Sequence, residues 1–308
     1  MLQQPIIEPI STDLILSELT AERFIRKTRK GDNEIYIVNI HNAPNTIKEI
    51  GRLREVTFRE SGGGTGLPID LDEFDTNDTC YEQLIVWSPE DNEIVGGYRY
   101  ILCGNALVND EIRLSTHHYF DFSDKFIKDY LPYTIELGRS WVQPNFQPAV
   151  NPRKGLFALD NIWDGLGALI VKNPTMKYFF GKVTMYPTYN RESRDFLLHF
   201  MNHYFPDKEN LMHPYTPLVQ QYDKQFIVDQ LEGLSFKDGF KVLNSFVRSH
   251  NENVPPLVNI YMHLSPTMKT FGTAVNHEFG DVEETGILVT IADIFEDKKE
   301  RHINSMVL

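Results

Sequence analysis

The segment Ile135–Val142 (IELGRSWV) carries side chains whose types and spacing could perform chemistry. Successive side chains of a β-strand point to opposite faces, so we expect Glu136 and Gly138 on one face and Arg139 and Trp141 on the other. A carboxylate in a central strand is costly unless it is paired with a cation or serves as a general base. Glu136 is therefore either a member of a salt-bridge network or a proton acceptor.

Two further arginines are predicted in apolar surroundings. A helix over residues 46–60 places Arg54 on its apolar face, and a predicted strand carries Arg99 in the sequence Gly-Gly-Tyr-Arg. A buried cation is costly unless an anion meets it. If the strand of Arg99 pairs with the strand of Glu136 and Arg139, the four side chains form one network. From the residues alone, that network is either a structural cluster or an active site.

Other candidate sites are weaker. The glycine-rich loop at 61–66 follows a helix and lacks the Lys-Ser/Thr of a P-loop, which favours a turn or a lid over a phosphate site. The acidic residues at 70–75 lack EF-hand spacing, so they form a solvated loop or meet cationic groups. His199 and His203 lack the glutamate that zinc proteases place between two such histidines. No metal site is predicted.

Composition excludes several classes of protein. The 308 residues include 30 Lys+Arg and 43 Asp+Glu, and a formal net charge of −13 disfavours a general nucleic-acid binder. The two cysteines, Cys80 and Cys103, are predicted to be buried thiols. The N-terminal sequence lacks the features of a signal peptide, and no apolar stretch reaches about 18 residues. We therefore expect a cytoplasmic protein, with peripheral membrane contact left open.

The order of predicted strands and helices indicates a mixed α/β fold. Predicted strands lie at 34–40, 81–87, 94–102, 133–142, 178–185, 270–276 and 287–294, and predicted helices at 46–60, 124–130, 159–171, 191–204, 236–250 and 256–263. We predict an N-terminal extension at 1–33, a core at 34–212, and a C-terminal region at 213–308 that completes or extends the core.

Several short motifs occur in a fixed order along the chain. They are Leu53-Arg54 with Phe58, Asp72-Glu73-Phe74-Asp75, the strand that ends at Arg99, and then Glu136 and Arg139. This order resembles the acyl-homoserine lactone synthases and, more closely, the GNAT-like N-acyltransferases that begin ornithine- and glycine-lipid synthesis, often labelled haemolysin-like. The resemblance covers about residues 45–200, and the tail at 254–280 also looks like the haemolysin-like group. It implies a GNAT-like mixed sheet flanked by helices, with a C-terminal α+β extension.

The resemblance also implies roles for individual residues. In that family, the amine of an amino acid attacks a fatty acyl thioester, usually on acyl carrier protein, and an amide forms. Glu136 would take the ammonium proton, and backbone N–H groups near Trp141 and Val142 would polarise the thioester carbonyl, with Arg139 beside them. The implied substrate-binding residues are Arg54, Phe58, Asp72, Asp75 and Arg99. The arginines would hold the substrate carboxylate or organise the acidic loop.

The region of the predicted donor site departs from a common pattern. GNAT enzymes that use coenzyme A usually carry a Q/R-x-x-G-x-G/A loop, and the spacing of Arg153-Lys154-Gly155 does not fit it. We therefore expect acyl carrier protein as donor, with coenzyme A second. The acidic carrier would dock on Arg153 and Lys154, and Gly155 completes the predicted carrier and pantetheine site. No bound cofactor is expected, since the acyl thioester is a co-substrate.

The resemblance thus implies an N-acyltransferase that transfers a fatty acyl group, in the form of a 3-hydroxyacyl chain, to glycine or ornithine in aminolipid biosynthesis. An ornithine side chain would need a carboxylate, which Asp70, Asp72 or Asp75 could supply, while glycine needs none. Two alternatives stay open. One is an inactive GNAT-like module that binds lipid or a carrier protein. The other is an acyl-homoserine lactone synthase, although the tryptophan that follows the phenylalanine in that family is missing here.

Overall fold

The structure is a computed structural model that describes residues 3–109, 111–222 and 224–304. In these residues the strands are β1 (Phe24–Lys27), β2 (Glu34–Val38), β3 (Glu82–Ser88), β4 (Glu93–Leu102), β5 (Leu107–Val108), β6 (Glu111–Ile112), β7 (Phe120–Phe122), β8 (Thr134–Val142), β9 (Tyr178–Met185), β10 (Met212–Pro214), β11 (Lys269–Asn276) and β12 (Val282–Thr290). The helices are α1 (Thr12–Glu18), α2 (Pro44–Glu60), α3 (Glu73–Thr76), α4 (Pro152–Gly155), α5 (Ala158–Lys172), α6 (Arg191–Tyr204), α7 (Lys224–Leu231), α8 (Phe236–Ser249), α9 (Pro256–Met262) and α10 (Glu296–Lys299).

The chain forms two compact units. Among the described residues, the first unit contains 3–115, 133–176 and 296–304, and the second contains 116–132 and 177–295. The first unit therefore holds all of the residues to which the sequence assigns a role. The domain bounds given by the sequence, 1–33, 34–212 and 213–308, stay a prediction.

The first unit is built on an antiparallel sheet in the order β1-β2-β3-β4-β8. Helix α5 packs on the face of this sheet that carries Tyr98, because a Cβ at Gly165 would lie 2.4 Å from Leu84 and 3.0 Å from the Tyr98 hydroxyl. Arg99 follows Tyr98 in β4 and points to the opposite face. The charged network predicted from the sequence lies on that second face.

The second unit combines a small sheet with aromatic-rich helices. Strands β9, β12 and β11 pair antiparallel in that order, and β7 pairs with β10. Helices α6 and α8 pack through aromatic side chains, with the rings of Phe196 and Phe246 4.6 Å apart and those of Phe200 and Phe240 6.1 Å apart. In the described parts of the chain, no helix has both the length and the apolar character needed to cross a bilayer. The sheets and helices of the two units confirm the predicted mixed α/β class.

The predicted strand at 287–294 begins too late and ends too late. The observed strand, β12, starts at Val282, and its first residues include Glu283 and Glu284, which bind Arg194 and Lys182. These charges hide the start of the strand from a hydrophobicity pattern. The apolar run also continues past Thr290 into a 3-10 turn, so it overestimates where the strand ends.

The sequence pattern Thr46-x-x-Glu49 predicts a capping box at the start of α2, and this prediction is wrong. The helix begins at Pro44, and Thr46 does not cap it with its own side chain. The carboxylate of Glu18 does so from α1, because it accepts hydrogen bonds from the backbone N–H groups of Asn45 (3.0 Å) and Thr46 (2.7 Å) and from both of their side chains. These hydrogen bonds outweigh burial and lower the pKa of Glu18. A cap supplied across 28 positions of the chain leaves no local sequence signal.

Replacing Glu18 by glutamine should destabilise the protein by about 1 kcal/mol at neutral pH, because the amide cannot accept on both sides. A group with a lowered pKa in the folded state stabilises the fold above its unfolded pKa and loses that effect as the pH falls. The difference in the free energy of unfolding between the wild type and Glu18→Gln should therefore disappear as the pH falls below 4.5, the ordinary pKa of glutamate. Urea unfolding at neutral and acid pH measures it, and Glu22→Gln, at an exposed position, serves as the control. A gap that stays constant with pH would contradict this capping role.

Candidate active site

Two buried arginines and three aspartates join helix α2 to the sheet. The Arg54 side chain is fully buried, with Nε donating to Asp70 at 2.9 Å and Nη1 to Asp75 at 3.2 Å. The Nη1 of Arg99 donates to Asp72 at 2.6 Å and to Asp75 at 3.1 Å. Asp75 thus bridges the two arginines. The structure brings these predicted residues together, and Asp70, considered from the sequence only as one of the acidic residues at 70–75 that could meet cationic groups, joins them.

Arg139 completes this arginine–aspartate cluster. Its Nε lies 3.0 Å from Asp70 Oδ2, and its Nη2 lies 3.6 Å from Asp72 Oδ2. Its backbone adopts a left-handed conformation, with φ at +48°, which is uncommon for a residue other than glycine. The cluster contains three arginines and three aspartates, so its formal charges cancel.

A β-bulge puts Arg139 in reach of the cluster and corrects the predicted faces of β8. Gly138 pairs with Arg99 and Trp141 pairs with Gly97. Between these two pairs, β8 therefore advances by three residues and β4 by two. The extra residue shifts the alternation of side chains. Trp141 therefore lies on the same face as Gly138 and Arg99, and Arg139 reaches the same cluster. The expectation that both point away from the face of Glu136 is wrong, because strict alternation does not allow for a bulge.

The arginines keep the aspartates of the cluster ionised. Burial by itself would raise their pKa values, but Arg139 and Arg54 hold the pKa of Asp70 below its ordinary value, and Arg54 and Arg99 do the same for Asp75. Gln83, on β3, also donates from Nε2 to Asp75 Oδ1 at 2.8 Å. Gln83 on β3 pairs with Arg99 on the neighbouring strand β4. This pairing depends on the register of the two strands, which the sequence does not show.

Glu136 lies on β8 with none of its surface exposed. The hydroxyl of Ser115 donates to Glu136 Oε1 at 2.7 Å, and the backbone N–H of Ser115 donates to the Tyr81 hydroxyl at 3.0 Å. The guanidinium of Arg99 lies 5.1 Å from the centre of the Tyr81 ring. Tyr81 and Ser115 therefore connect the arginine–aspartate cluster to Glu136. The sequence reading missed both residues, since neither belongs to a recognisable motif.

The carboxylate of Glu136 affects the pKa values of two neighbouring side chains. Burial, followed by the charge of Glu136, raises the pKa of the Tyr81 phenol and of the Cys103 thiol well above their ordinary values. The shifts move the ionisation of both groups further above neutral pH. Cys103 is buried as predicted, whereas Cys80 is half-buried.

Trp141 and Val142 occupy the end of β8 opposite two glycines. A Cβ at Gly96 would lie 2.4 Å from the Trp141 carbonyl oxygen, and a Cβ at Gly97 would lie 2.3 Å from the Leu84 carbonyl oxygen. The two glycines therefore permit the close packing of β3, β4 and β8. The Trp141 side chain is 4% exposed, and no hydrogen-bond acceptor among the described residues meets its Nε1.

The remaining predicted residues lie in two other places. Phe58 is buried on α2. Arg153, Lys154 and Gly155 form α4, where Arg153 is exposed and Lys154 binds Asp91 and lies over the Phe146 ring at 5.3 Å. Gly155 packs against the backbone of Pro148, with no room for a Cβ. These three residues make none of the ion pairs described for the arginine–aspartate cluster.

The glycine-rich loop wraps around a carboxylate of the protein itself. The backbone N–H groups of Thr65 and Gly66 and the Thr65 hydroxyl all donate to Glu55, which is fully buried. Glu55 thus takes up the donors that a phosphate would require. Within the described residues, no group of three or more histidine, cysteine, aspartate or glutamate side chains is arranged to hold a metal ion.

Comparison with known proteins identifies the family of the chain. The acetyltransferase (GNAT) domain family matches residues 53–152, which include the cluster and Glu136. A glycine N(alpha)-acyltransferase from Bacteroides thetaiotaomicron is 53% identical over 307 residues, which cover 99% of this chain and 91% of the relative. The chain belongs to the GNAT N-acyltransferases. A protein of the same name from Phocaeicola vulgatus is 52% identical over 99% of this chain and 94% of its own length. No solved structure matches the chain.

This N-acyltransferase therefore acts on an amino acid, and the prediction of an enzyme is confirmed. The alternative of an inactive binding module does not agree with full-length relatives that are enzymes. The fold class predicted through the GNAT resemblance is likewise confirmed. The roles given to individual site residues stay predictions, and the geometry above defines how each can be tested.

Proposed function

We propose that this N-acyltransferase acylates glycine. It takes a fatty acyl group, a 3-hydroxyacyl chain, from the thioester of an acyl carrier protein and forms an N-acylglycine, a precursor for aminolipid synthesis. The observation that carries the choice of glycine is the name of the two relatives, both glycine N(alpha)-acyltransferases over nearly the full chain.

The state of the acidic residues supports glycine over ornithine. The side-chain ammonium of ornithine would need a carboxylate partner in the site. Asp70, Asp72 and Asp75 are the carboxylates considered for that role, and each already binds an arginine. A second cation would have to compete with those ion pairs. Glycine brings no side chain and makes no such demand.

The proposed chemistry uses Glu136 as the general base. An ammonium cannot attack a carbonyl, so Glu136 accepts one proton from the substrate amine, directly or through a water molecule. The amine then attacks the thioester carbonyl, and the backbone N–H groups near Trp141 and Val142 stabilise the oxyanion. The C–N bond forms, the C–S bond breaks, and the carrier thiol leaves with the second proton of the amine.

The proposed donor is an acyl carrier protein that docks near α4. Its acidic surface would meet Arg153, which is exposed, together with Lys154 when that residue releases Asp91. The net charge of −13 opposes the approach of an acidic partner in general. The docking site must therefore be local, and its strength should fall as salt concentration rises.

Competition between acceptors tests the proposal. The purified enzyme receives a 3-hydroxyacyl carrier thioester with glycine and ornithine at equal concentration, and mass spectrometry measures both N-acyl products. We expect N-acylglycine to exceed N-acylornithine by at least about 10-fold, since a buried unpaired cation costs more than one tenfold step in affinity. Equal products, or an excess of N-acylornithine, would contradict the proposal. In a parallel assay with S-adenosylmethionine in place of the two amino acids, release of methylthioadenosine would instead indicate lactone synthesis.

A further inference from the structure

We propose that a cavity in the second unit binds a neutral aliphatic molecule, whose hydroxyl or carbonyl oxygen meets the hydroxyls of Thr273 and Thr285. The cavity has a volume of about 280 Å³ and lies between α6, the segment at 214–220 and the strands β11 and β12. All of these elements belong to the second unit, whereas the arginine–aspartate cluster and Glu136 belong to the first. The proposal therefore concerns a separate site and does not depend on the proposed function.

The backbone around the cavity fixes its shape. From Thr270 to Thr273, β11 advances by three residues while β12 advances by two, so a β-bulge forms part of the wall. Gly272 lies in this bulge with φ at +86°, and a Cβ there would lie 3.1 Å from the ring of Pro214. The backbone N–H of Leu218 donates to the Thr273 carbonyl at 2.8 Å, which holds the neighbouring segment beside the strand. The walls of the cavity are therefore set by the main chain.

The side chains that line the cavity favour an uncharged ligand. Its apolar wall consists of Leu198, Met201, Pro214, Pro217 and Leu218. The polar side chains are three threonine hydroxyls and the amides of Asn202 and Gln220, and none of the described residues that line the cavity is ionisable. Burying an ion without a partner is costly. The lining therefore suits a neutral molecule with a long apolar part, and it opposes a carboxylate or an ammonium.

The polar side chains leave hydrogen-bond donors for a ligand. The hydroxyl oxygens of Thr273 and Thr285 lie 2.8 Å apart, and both residues are buried. One hydroxyl donates to the other, so the second proton has no acceptor among the described residues. The Oδ1 of Asn202 accepts from Thr270 at 3.2 Å, while its Nδ2 meets no acceptor in that part of the chain. A buried donor gains free energy from an arriving acceptor, which a hydroxyl or carbonyl oxygen supplies without a charge.

The volume of the cavity limits the length of the ligand. A water molecule takes about 30 Å³ in the liquid, so the cavity has the volume of about nine water molecules. A CH₂ group and a water molecule are of similar size. The probe 1-octanol matches this volume, and it combines an apolar chain with a single hydroxyl.

Titration of the purified protein with 1-octanol tests the proposal, with octanoate and octylammonium as charged analogues of similar length. Met201 lines the cavity, so the NMR signal of its methyl group should shift when 1-octanol binds. The signal of Met262, which is buried on α9 outside the lining, should stay in place. We expect the dissociation constant of each charged analogue to exceed that of 1-octanol by at least about 10-fold, because a buried unpaired charge costs more than one tenfold step in affinity.

Two variants at neighbouring positions locate the site. Leu218→Trp enlarges a side chain of the lining and should weaken the binding of 1-octanol by at least about 10-fold, since the indole takes up space that the ligand needs. Val219→Trp is the matched control, because Val219 is 78% exposed and does not line the cavity. Its affinity for 1-octanol should equal that of the wild type. Thermal unfolding checks the fold of both variants.

A double variant tests the part of the two hydroxyls. Thr273→Val with Thr285→Val keeps the shape of both side chains and removes both partners of their hydrogen bond, a change that is nearly neutral for stability. It should weaken the binding of 1-octanol by about 2- to 10-fold, the usual range for one hydrogen bond. This variant and the wild-type titration decide the proposal even if Leu218→Trp does not fold.

The outcomes separate the proposal from its alternatives. An unshifted Met201 signal up to the solubility limit of 1-octanol, equal binding of octanoate, or full affinity in the double valine variant or in a folded Leu218→Trp would overturn it. A free lipid and the acyl group of the thioester substrate both contain an aliphatic chain. If 1-octanol binds and raises KM for a long-chain thioester but not for an acetyl thioester, the acyl group is the natural occupant. Binding without this competition assigns the site to a free lipid.

Discussion

Replacing Glu136 by glutamine should lower kcat by about 10²- to 10⁴-fold, the usual contribution of a general base. The glutamine amide cannot accept the proton of the substrate ammonium at neutral pH. The fold should be retained, because glutamine has the same shape and its carbonyl oxygen can still accept the hydrogen bond from Ser115. Steady-state kinetics with glycine and acyl carrier thioester measures the effect, and thermal unfolding checks the fold.

Glu111→Gln is the matched control for this experiment. Its side chain is 74% exposed on β6, in the same unit, and its ion pair with Arg113 is long at 3.6 Å. The same chemical change at that position should leave kcat unaltered. A Glu136→Gln enzyme that retains full activity would show that the carboxylate is structural. If Glu136→Gln instead yields insoluble protein, the main role of the carboxylate is in folding and not in catalysis.

Replacing Arg54 by methionine should destabilise the protein by about 3–5 kcal/mol, because it leaves Asp70 and Asp75 buried with fewer cations. The pKa of each aspartate is lowered in the fold, so the pairs stabilise it above the unfolded pKa and stop doing so as the pH falls. The difference in the free energy of unfolding between the wild type and Arg54→Met should therefore decrease as the pH falls below 3.8, the ordinary pKa of aspartate. Urea unfolding at neutral and acid pH measures both effects.

Two further variants test whether the loss of stability arises from the buried ion pairs. Arg113→Met removes a half-exposed arginine from a surface ion pair and should change stability by less than about 1 kcal/mol. Asp70→Asn in the Arg54→Met background should recover part of the loss, since it removes one of the stranded charges. If Arg54→Met keeps its stability and instead raises KM for the amino acid, Arg54 binds substrate and the structural interpretation of the cluster fails.

Much of the fold could be predicted from the sequence because its elements have strong local patterns. Strand β9 and helix α6 lie at the predicted residues, β8 differs from prediction by one residue at its start, and α5 differs by one residue at each end. Apolar periodicity marks these elements because each buries one face or both. Helix α1 and strand β1 carry no such pattern, and the start of α2 depends on a glutamate from another helix. Those features were predicted incompletely or not at all.

The candidate site was predictable in its members and not in its geometry. Charged residues within apolar patterns pointed to Arg54 and Arg99, because buried charges need partners. Which of Asp70, Asp72 and Asp75 each arginine binds depends on strand register and on the path of the loop. No local sequence pattern indicates either of these. The bulge at Arg139 and the contact of Ser115 with Glu136 likewise arise from tertiary packing.

Lipid mass spectrometry of a bacterial host tests the central claim most directly. The host expresses either the wild-type chain or Glu136→Gln, at matched levels of soluble protein. We predict new N-acylglycines with 3-hydroxyacyl chains in cells with the wild type and their absence in cells with the variant. Identical lipid profiles in the two strains, or new lipids built on ornithine, would contradict the account.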